Sequence, residues 1–488
     1  MIDFSNLNLK VIAHKAMEQY GFETMFSAAE MAEVEALDGN ALEKIAHNVI
    51  DLRRLMWSSI DNTESEDLDQ IEYCERSQNG EILVKVAIAD VDFYVPKGSF
   101  ADVHAHRNTT SVYVEIEVYP MFPDRLSKNL SSLLVNEDRL AVVIEFFVPP
   151  GGDVRPGRIY WALVKNKAKL VYEEVGAWLE GKGASPEIVG DVSGLEAQLQ
   201  LQDEASLRLR GYRVERGALE LDTQEVRTVI HEGKVSDITV VQENRARYLI
   251  ENFMIATNSV MSSFLESANI PIIQRVVRIP KDWDRIVDVA KVRGTSLPAE
   301  PDAKALSQFL ANQKKADPER FPDLSLAIVK LLGSAEYVMF DRFQPKVGHF
   351  CLAVTDYTHA TAPNRRYIDV VIQRLLKATL EKAPSPYNNE ELSRIAAWCT
   401  DREKASKKVE RFMRKAAAAF LLSGKIGQSF DAIVTGASEK GTYARLIAPP
   451  AEGRIVSGEE SLKVGQKVKV RLINLVPNMG FIDFEKVG

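Results

Sequence analysis

Residues 58–73 read SSIDNTESEDLDQIEY, and Asp61, Asp67 and Asp69 in this stretch indicate a metal site. Aspartate is the shortest carboxylate, and three of them in one turn-rich loop can converge on a hard cation with oxygen ligands, for which Mg²⁺ is the natural candidate. The stretch lacks the ligand spacing and turn glycine of an EF-hand, which disfavours Ca²⁺. On the acidic residues alone, a solvated surface loop is the more frequent explanation.

The sequence on either side of this stretch predicts a strand and a group of helices. Residues 80–95, GEILVKVAIADVDFYV, are apolar and β-branched and predict a buried strand, with Asp90 and Asp92 on one of its faces. Upstream, capping-box patterns at Ser27 and Asn40 predict helix starts near those residues. We therefore expect three short helices in residues 1–56.

Composition limits the classes of protein that are compatible with this chain. Its 488 residues are 45% hydrophobic and 27% charged, which is typical of a globular protein of two to four domains. No apolar run reaches the roughly 18 residues that would span a bilayer, and the N-terminus does not resemble a signal peptide, so we expect a cytoplasmic protein without membrane association. The net charge of −8 means that any surface binding nucleic acid must be local.

Two ordered blocks of sequence carry the most specific signal. The first runs from the acidic stretch through IADV (88–91) to TSVYVEIEVYPMFPDRLSKNLSSLLVNEDRLAVVIEF (110–146). The second covers 333–376 and reads GSAEYVMFDRFQPKVGHFCLAVTDYTHATAPNRRYIDVVIQRLL. Together they resemble the RNase II family, the RNB-domain exoribonucleases. Several motifs in the same order are far more specific than one short pattern.

This resemblance implies an α+β fold and a division into domains. We expect a helical domain over residues 1–56, which is either a helix-turn-helix-like RNA-binding module or a cap on the next domain. An RNB catalytic domain, with a mixed or antiparallel sheet surrounded by helices, follows over 57–422. Residues 423–488 contain predicted short strands and turn glycines and resemble an S1 domain, a β-barrel of the OB fold.

The resemblance also implies an activity and a set of catalytic residues. The expected activity is Mg²⁺-dependent hydrolysis of single-stranded RNA from the 3′ end, releasing nucleoside 5′-monophosphates. Asp67, Asp69, Glu251 and Arg365 are the predicted catalytic residues, and Asp61, Asp67 and Asp69 the predicted metal ligands. Arg365 matches the family's phosphate-binding arginine, since a planar guanidinium donates two hydrogen bonds to phosphate oxygens. In the family, the residue matching Glu251 helps orient the leaving group or the attacking water.

Further residues are predicted to contact RNA. Tyr113 matches a family tyrosine near the sugar-phosphate, and Tyr172 matches one that stacks near the scissile end and sets the shortest product. His359 and Arg366 belong to the second block, although Arg366 is equally compatible with a structural ion pair. In the S1 region, Phe430 and Tyr443 are at positions where such domains stack bases. The basic helix predicted over 389–425 either faces solvent or follows the RNA.

Two departures from the family pattern support an alternative function. Gln70 stands where the family usually has a second adjacent aspartate, and Leu221 stands where it has an aromatic residue that clamps the RNA bases. Cold-shock domains, which precede the acidic motif in typical relatives, have no counterpart here. The alternative is therefore a catalytically impaired RNB scaffold that binds RNA, and a third possibility is an enzyme that trims 3′ ends. We expect a monomer with single-stranded RNA as its partner.

Overall fold

The computed structural model describes residues 8–39, 49–114, 116–222, 225–231, 234–438 and 441–487, so the helix start predicted near Asn40 lies outside the described residues. The α-helices are α1 (Leu9–Gln19), α2 (Ala28–Glu35), α3 (Phe100–Asn108), α4 (Tyr172–Leu179), α5 (Glu187–Asp191), α6 (Leu195–Glu215), α7 (Arg245–Ser267), α8 (Trp283–Val292), α9 (Ala303–Ala316), α10 (Phe321–Leu332), α11 (Tyr367–Leu380) and α12 (Asn389–Leu421). The strands are β1 (Ile50–Asp51), β2 (Trp57–Asp61), β3 (Gln70–Arg76), β4 (Ile82–Ala89), β5 (Val112–Val114), β6 (Glu117–Tyr119), β7 (Asp138–Val148), β8 (Arg155–Val171), β9 (Glu225–His231), β10 (Lys234–Val241), β11 (Ile272–Val276), β12 (Glu336–Phe340), β13 (Ser429–Ser438), β14 (Gly441–Leu446), β15 (Glu452–Ser457), β16 (Lys467–Val476) and β17 (Phe481–Lys486).

A mixed six-stranded sheet forms the centre of the described structure. Its strand order is β1-β8-β2-β3-β4-β7, and β8 also pairs with β7, so the sheet curls back on itself. β8 is parallel to β2, whereas β3, β4 and β7 run antiparallel to their neighbours. The α+β class and the buried strand predicted within 80–95 are both confirmed.

Both faces of this sheet are covered, which explains the nearly continuous apolar sequence of β4 and β7. On one face, Val86 and Phe146 pack in the main hydrophobic cluster with Phe253 of α7. The rings of Phe146 and Phe253 meet edge to face, with centroids 6.4 Å apart. A second cluster, containing Trp57 and Ile71, covers the other face. This packing holds α7, and with it Glu251, against the sheet.

The prediction that Asp90 and Asp92 share one face of a strand is wrong, because β4 ends at Ala89. Both aspartates lie just after the strand and bind the same cation. The Lys377 ammonium is 2.6 Å from Asp90 and 3.1 Å from Asp92. Arg374 is 2.7 Å from Asp92. These carboxylates therefore attach the end of β4 to α11.

The N-terminal helices pack against the rest of the chain. The Ser27 hydroxyl accepts a hydrogen bond from the backbone N–H of Glu30 at 3.1 Å, which confirms the helix start predicted near residue 27. α1 lies in one hydrophobic cluster with α12 and the β5–β6 hairpin. Arg402 of α12 stacks over Phe22 at 3.7 Å and donates to the carbonyl oxygen of Tyr20 at 2.8 Å. Part of the basic stretch in α12 thus holds the N-terminal helices in place.

The predicted C-terminal barrel is confirmed: β13 to β17 form a closed barrel in the order β13-β14-β15-β17-β16. Its apolar interior continues into Ala418, Ala419 and Leu422 at the end of α12. Lys330 of α10 donates to the carbonyl oxygen of Thr435 at 2.8 Å, which attaches a second side of the barrel to α10. Within the described residues, no helix combines the length and apolar composition needed to cross a bilayer.

Candidate active site

The acidic stretch forms a loop between two central strands. Asp61 is the last residue of β2, and Asp67 and Asp69 lie in the loop that precedes β3. The Lys169 ammonium, on β8, donates to the carbonyl oxygens of Thr63 at 2.9 Å and Ser65 at 2.6 Å. These bonds hold the middle of the loop against β8.

The second sequence block meets the acidic loop at Asp69. The backbone N–H of Asn364 donates to Asp69 Oδ1 at 2.9 Å, and Arg365 Nε lies 3.3 Å from Asp69 Oδ2. The carbonyl oxygen of Arg365 accepts from Ser111 N and Thr110 Oγ1, both at 3.1 Å. Residues nearly 300 positions apart in sequence are thereby joined on one surface, as the resemblance implies for Asp69 and Arg365.

The surroundings of the aspartates change their ionisation. Burial raises the pKa of Asp69 to about 7, since the charge of Arg365 only partly offsets the loss of solvent and Asp67 adds repulsion. Burial likewise raises the pKa of Asp61 to about 6, although a hydrogen bond from Ser59 opposes the rise. The site therefore concentrates negative charge at a cost, which a bound cation would relieve.

The donor chemistry fits a hard divalent cation. Asp61 Oδ2 is buried and has no hydrogen-bond partner among the described residues, so a coordination position is free. In the described part of the chain, however, no three His, Cys, Asp or Glu side chains are arranged as a ready-made metal cage, and the predicted convergence of Asp61, Asp67 and Asp69 is not preformed. Mg²⁺ commonly uses one or two carboxylates and completes its shell with water and substrate phosphate. Since Asp69 already binds Asn364 and Arg365, Asp61 and Asp67 are the more available ligands.

Tyr113 and Arg365 lie beside these carboxylates, and their exposure together with their surroundings indicates an open recess. The Tyr113 hydroxyl lies 3.2 Å from Asp67 Oδ2. Tyr113 and the Arg365 side chain are each 44% exposed. Nevertheless, surrounding protein raises the pKa of the Tyr113 phenol above its usual value. Side chains that are accessible and yet surrounded by protein are expected on the wall of a deep recess.

Glu251 lies on α7 among cations from α6. Burial raises the pKa of its carboxyl group, and the charges of Arg213 and Arg210 oppose the rise. Its side chain is exposed to solvent, as are those of Tyr113 and Arg365. No hydrogen bond or ion pair joins Glu251 to the aspartates within the described residues. A direct role of Glu251 at the reacting atoms remains a prediction.

Arg366 and His359 make internal contacts. Arg366 Nη2 lies 2.7 Å from Oδ1 of the buried Asp369, the ion-pair arrangement that the sequence leaves open. His359 Nδ1 is 2.8 Å from the Tyr337 hydroxyl, and its ring meets that of Tyr357 edge-on with centroids 5.7 Å apart. Burial and nearby arginines lower the pKa of His359 well below its usual value, so its imidazole is neutral. The RNA contacts predicted for both residues are not tested by these bonds.

Tyr172 begins α4, as predicted, and has a neighbour that the sequence-based predictions omit. The Arg247 guanidinium lies over the Tyr172 ring, 4.5 Å from its centroid. Arg247 is four residues before Glu251 on α7, and this helical spacing is the sequence signal that associates it with the site.

The two predicted stacking residues of the barrel differ in environment. Phe430 is partly buried and packs against the barrel interior. Tyr443 has its ring under the Lys415 ammonium of α12, 5.5 Å from the centroid. Of the two, Tyr443 is the better placed to meet a base outside the barrel.

Both departures from the family pattern lie in packed surroundings. Gln70 starts β3, pairs with Ile88 and is 8% exposed. Leu221 packs against the apolar cluster of α8, α9 and α10. Neither residue adds a charge or an aromatic face to the recess.

Comparisons with known proteins find matches to two domain families. A family model described as the RNB domain matches residues 49–382, and one described as the RNase II-type exonuclease C-terminal S1 domain matches residues 428–487. The chain is 28% identical over 498 residues to ribonuclease R 2 of Lactococcus lactis, covering 95% of this chain and 73% of that protein. It spans between 50% and 73% of the length of the curated relatives that it matches.

Solved structures share the fold over nearly the whole chain. The apo form of Mycoplasma genitalium RNase R has a TM-score of 0.87 and 24% identity, covering 99% of this chain and 78% of that one. Yeast Ssd1, described as a pseudonuclease, has a TM-score of 0.69 and 14% identity, covering 91% of this chain and 55% of that one. The same fold therefore occurs in a protein described as a nuclease and in one described as a pseudonuclease, so function must be argued from the site.

Proposed function

Because the chain belongs to the RNB family, we propose that it is a Mg²⁺-dependent exoribonuclease that hydrolyses single-stranded RNA from the 3′ end to nucleoside 5′-monophosphates. One observation carries the proposal: Asp69 of the acidic loop binds both Asn364 and Arg365 of the second block on the wall of an open recess. Names of relatives that contain the words ribonuclease R support it. We also propose that the protein is a cytoplasmic monomer.

The proposed mechanism assigns a role to each side chain of the recess. Asp61 and Asp67, with Asp69 as a further candidate, would hold Mg²⁺, which when bound activates water and offsets charge on the phosphate. Arg365 holds the scissile phosphate, since its guanidinium is oriented by Asp69 and remains 44% exposed. Tyr113 borders the sugar beside Asp67 and is a candidate for reading the 2′-hydroxyl.

Residues farther from the carboxylates complete the proposal. Glu251 orients the attacking water or the leaving group. The charge of Arg366 strengthens the positive field at the phosphates, and the neutral imidazole of His359 contacts the RNA through a hydrogen bond. Tyr172 stacks on the terminal base, and Tyr443, with Phe430 at the barrel rim, binds the RNA before it enters.

A non-catalytic RNA-binding protein is the second candidate, and Gln70 is the observation that favours it. An amide oxygen can ligate a cation but contributes no charge, so metal affinity would fall relative to an aspartate. A preserved fold does not exclude this, as the likeness to a protein described as a pseudonuclease shows.

A gel assay separates the two candidates. A 5′-labelled single-stranded 30-nucleotide RNA is incubated with Mg²⁺ and the protein, beside Asp69→Asn and beside an EDTA control. A short labelled product that is absent from both controls supports hydrolysis from the 3′ end. Intact RNA with retained binding would overturn the enzymatic proposal, and Gln70→Asp would then be the first variant to test for recovered activity.

A further inference from the structure

Arg247 is attached to Tyr172 through the backbone as well as through its side chain. Asn244, the N-cap of α7, accepts from the backbone N–H of Arg247 at 3.0 Å, and its amide donates to the carbonyl oxygen of Tyr172 at 3.0 Å. Gly176 of α4 lies so close that an added Cβ would be 2.4 Å from Asn244 Cγ. The starts of α4 and α7 are therefore locked together, and the stacking of guanidinium on ring is a consequence of this contact.

The remaining contacts of Arg247 are with α4 and with the acidic loop. Its Nη2 donates to Glu173 at 2.8 Å and approaches Oδ1 of Asn62, the residue after Asp61, at 3.4 Å. Its Nε is buried and donates to no acceptor within the described residues. A buried N–H without an acceptor is rare in proteins, so the contacts of Arg247 with Tyr172 and the loop are kept at the cost of one hydrogen bond.

The electrostatic surroundings of the Tyr172 ring connect it with the same loop. The charges of Asp61 and Arg365 both act on the Tyr172 phenol, whose pKa is raised mainly by burial. Tyr172 is thus close to the carboxylates and to the arginine proposed to hold the phosphate. Arg247 covers one face of the ring, and the ring also packs against the main hydrophobic cluster, so neighbouring side chains set its position.

We propose that Arg247 is a positioning residue that fixes Tyr172 relative to Asp61 and thereby determines the length of the shortest RNA product. This inference rests on the proposed function. A planar guanidinium covers a ring and donates in its own plane, whereas a lysine ammonium does neither, so Arg247→Lys retains the charge and removes the geometry. The ring can then shift, and the terminal base no longer stops at one distance from the carboxylates.

Product length and the response to substrate length test this inference. With the 5′-labelled 30-nucleotide RNA, Arg247→Lys is expected to leave final products longer by at least one nucleotide. The KM for a five-nucleotide RNA should rise by about fivefold, while kcat on the long RNA changes less than about twofold. Arg158→Lys is the matched control, because Arg158 stacks on Tyr160 at 4.9 Å on an exposed part of β8.

Each outcome separates this inference from its alternatives. An unchanged final product with an unchanged KM for the short RNA would overturn it, and so would equal losses on short and long RNA with a lower Tm, which indicate a merely structural role. If the wild-type protein leaves the long RNA intact, the proposed function fails and this inference fails with it. Should Arg247→Lys fold poorly, RNA binding in an Asp69→Asn background provides a second measurement, with weaker binding of the short RNA alone as the expected result.

Discussion

Two groups of aspartates, one after β2 and one after β4, have opposite relations to their cations. In the loop after β2, Asp61 Oδ2 has no hydrogen-bond partner within the described residues. The cation that pairs with Asp69 is Arg365, whose side chain is about half exposed. After β4, Asp90 and Asp92 are bound by Lys377 and by Arg374.

The exposure of the cations explains the difference. The Arg374 side chain is 4% exposed and also binds Asp102, Tyr387 and the carbonyl oxygen of Val95, so its donors are used within the protein. Arg365 keeps much of its surface open to the recess. Residue type and strand position are thus alike in the two groups, and Asp90 Oδ2, like Asp61 Oδ2, accepts no hydrogen bond within the described residues. The exposed cation, rather than an unpaired oxygen, identifies the group that can act on a substrate.

The largest expected effect lies at the paired aspartates. Arg374→Met leaves the buried Asp102 without its cation, while Asp92 keeps Lys377, and should lower the free energy of unfolding by about 3–5 kcal/mol. Urea unfolding measures the loss. Arg394→Met is the control, since Arg394 forms an exposed pair with Glu390 and should change stability by less than about 0.5 kcal/mol. Equal stabilities of the two variants would contradict the structural role of Arg374.

Asp69→Asn should lower the activity of the protein and leave its stability largely unchanged. We expect single-turnover cleavage to slow by at least about a hundredfold, because Arg365 loses its orienting charge and the site loses a carboxylate. The Tm should not fall as it does in Arg374→Met. Cleavage above a tenth of the wild-type rate would show that the unpaired group is not the reactive one.

A smaller effect distinguishes the adjacent arginines. Arg365→Lys should reduce kcat/KM by about tenfold with little change in Tm, since lysine replaces bidentate phosphate binding less well. Arg366→Lys should lower Tm more and activity less, because Arg366 pairs with the fully buried Asp369. The opposite order of effects would transfer phosphate binding to Arg366.

The smallest effect is a shift in pH dependence. Asp61 and Asp69 have pKa values of about 6 and about 7, raised above the usual value, so they gain protons and activity falls as pH decreases through this range. More Mg²⁺ should move the acid limb to lower pH by less than about one unit, because a bound cation favours the ionised forms. Initial rates at low and high Mg²⁺ measure this shift, and an acid limb that is independent of Mg²⁺ would count against metal binding by these residues.

The same raised pKa values predict the pH dependence of stability. A carboxyl group whose pKa is raised by folding stabilises the folded state below its usual pKa, and this contribution is lost as pH rises through the folded value. In the absence of metal, the Tm of Asp69→Asn relative to that of the wild type should therefore rise as pH increases from 5 to 8. A constant difference in Tm would indicate that Asp69 is not held in the protonated form.

Local sequence by itself determined the strand within 80–95, the helix starts at Ser27 and Tyr172, and the barrel strands, because period, capping and turn residues act over a few neighbouring positions. The ordered motifs also indicated that Asp69 and Arg365 belong to one site. Both kinds of inference depend on residue types and their spacing, which are complete in the sequence.

Only the tertiary structure decided which of these charged residues remain available. Asp90 and Asp61 look alike in sequence, yet Lys377 binds Asp90 and not Asp61. Likewise, Arg366 pairs with Asp369, whereas Arg365 faces the recess. The stacking of Arg247 on Tyr172 likewise requires two helix starts to meet. Pairing and burial arise from segments far apart in the chain, and a charge acquires its partner, and with it its pKa, only when those segments pack.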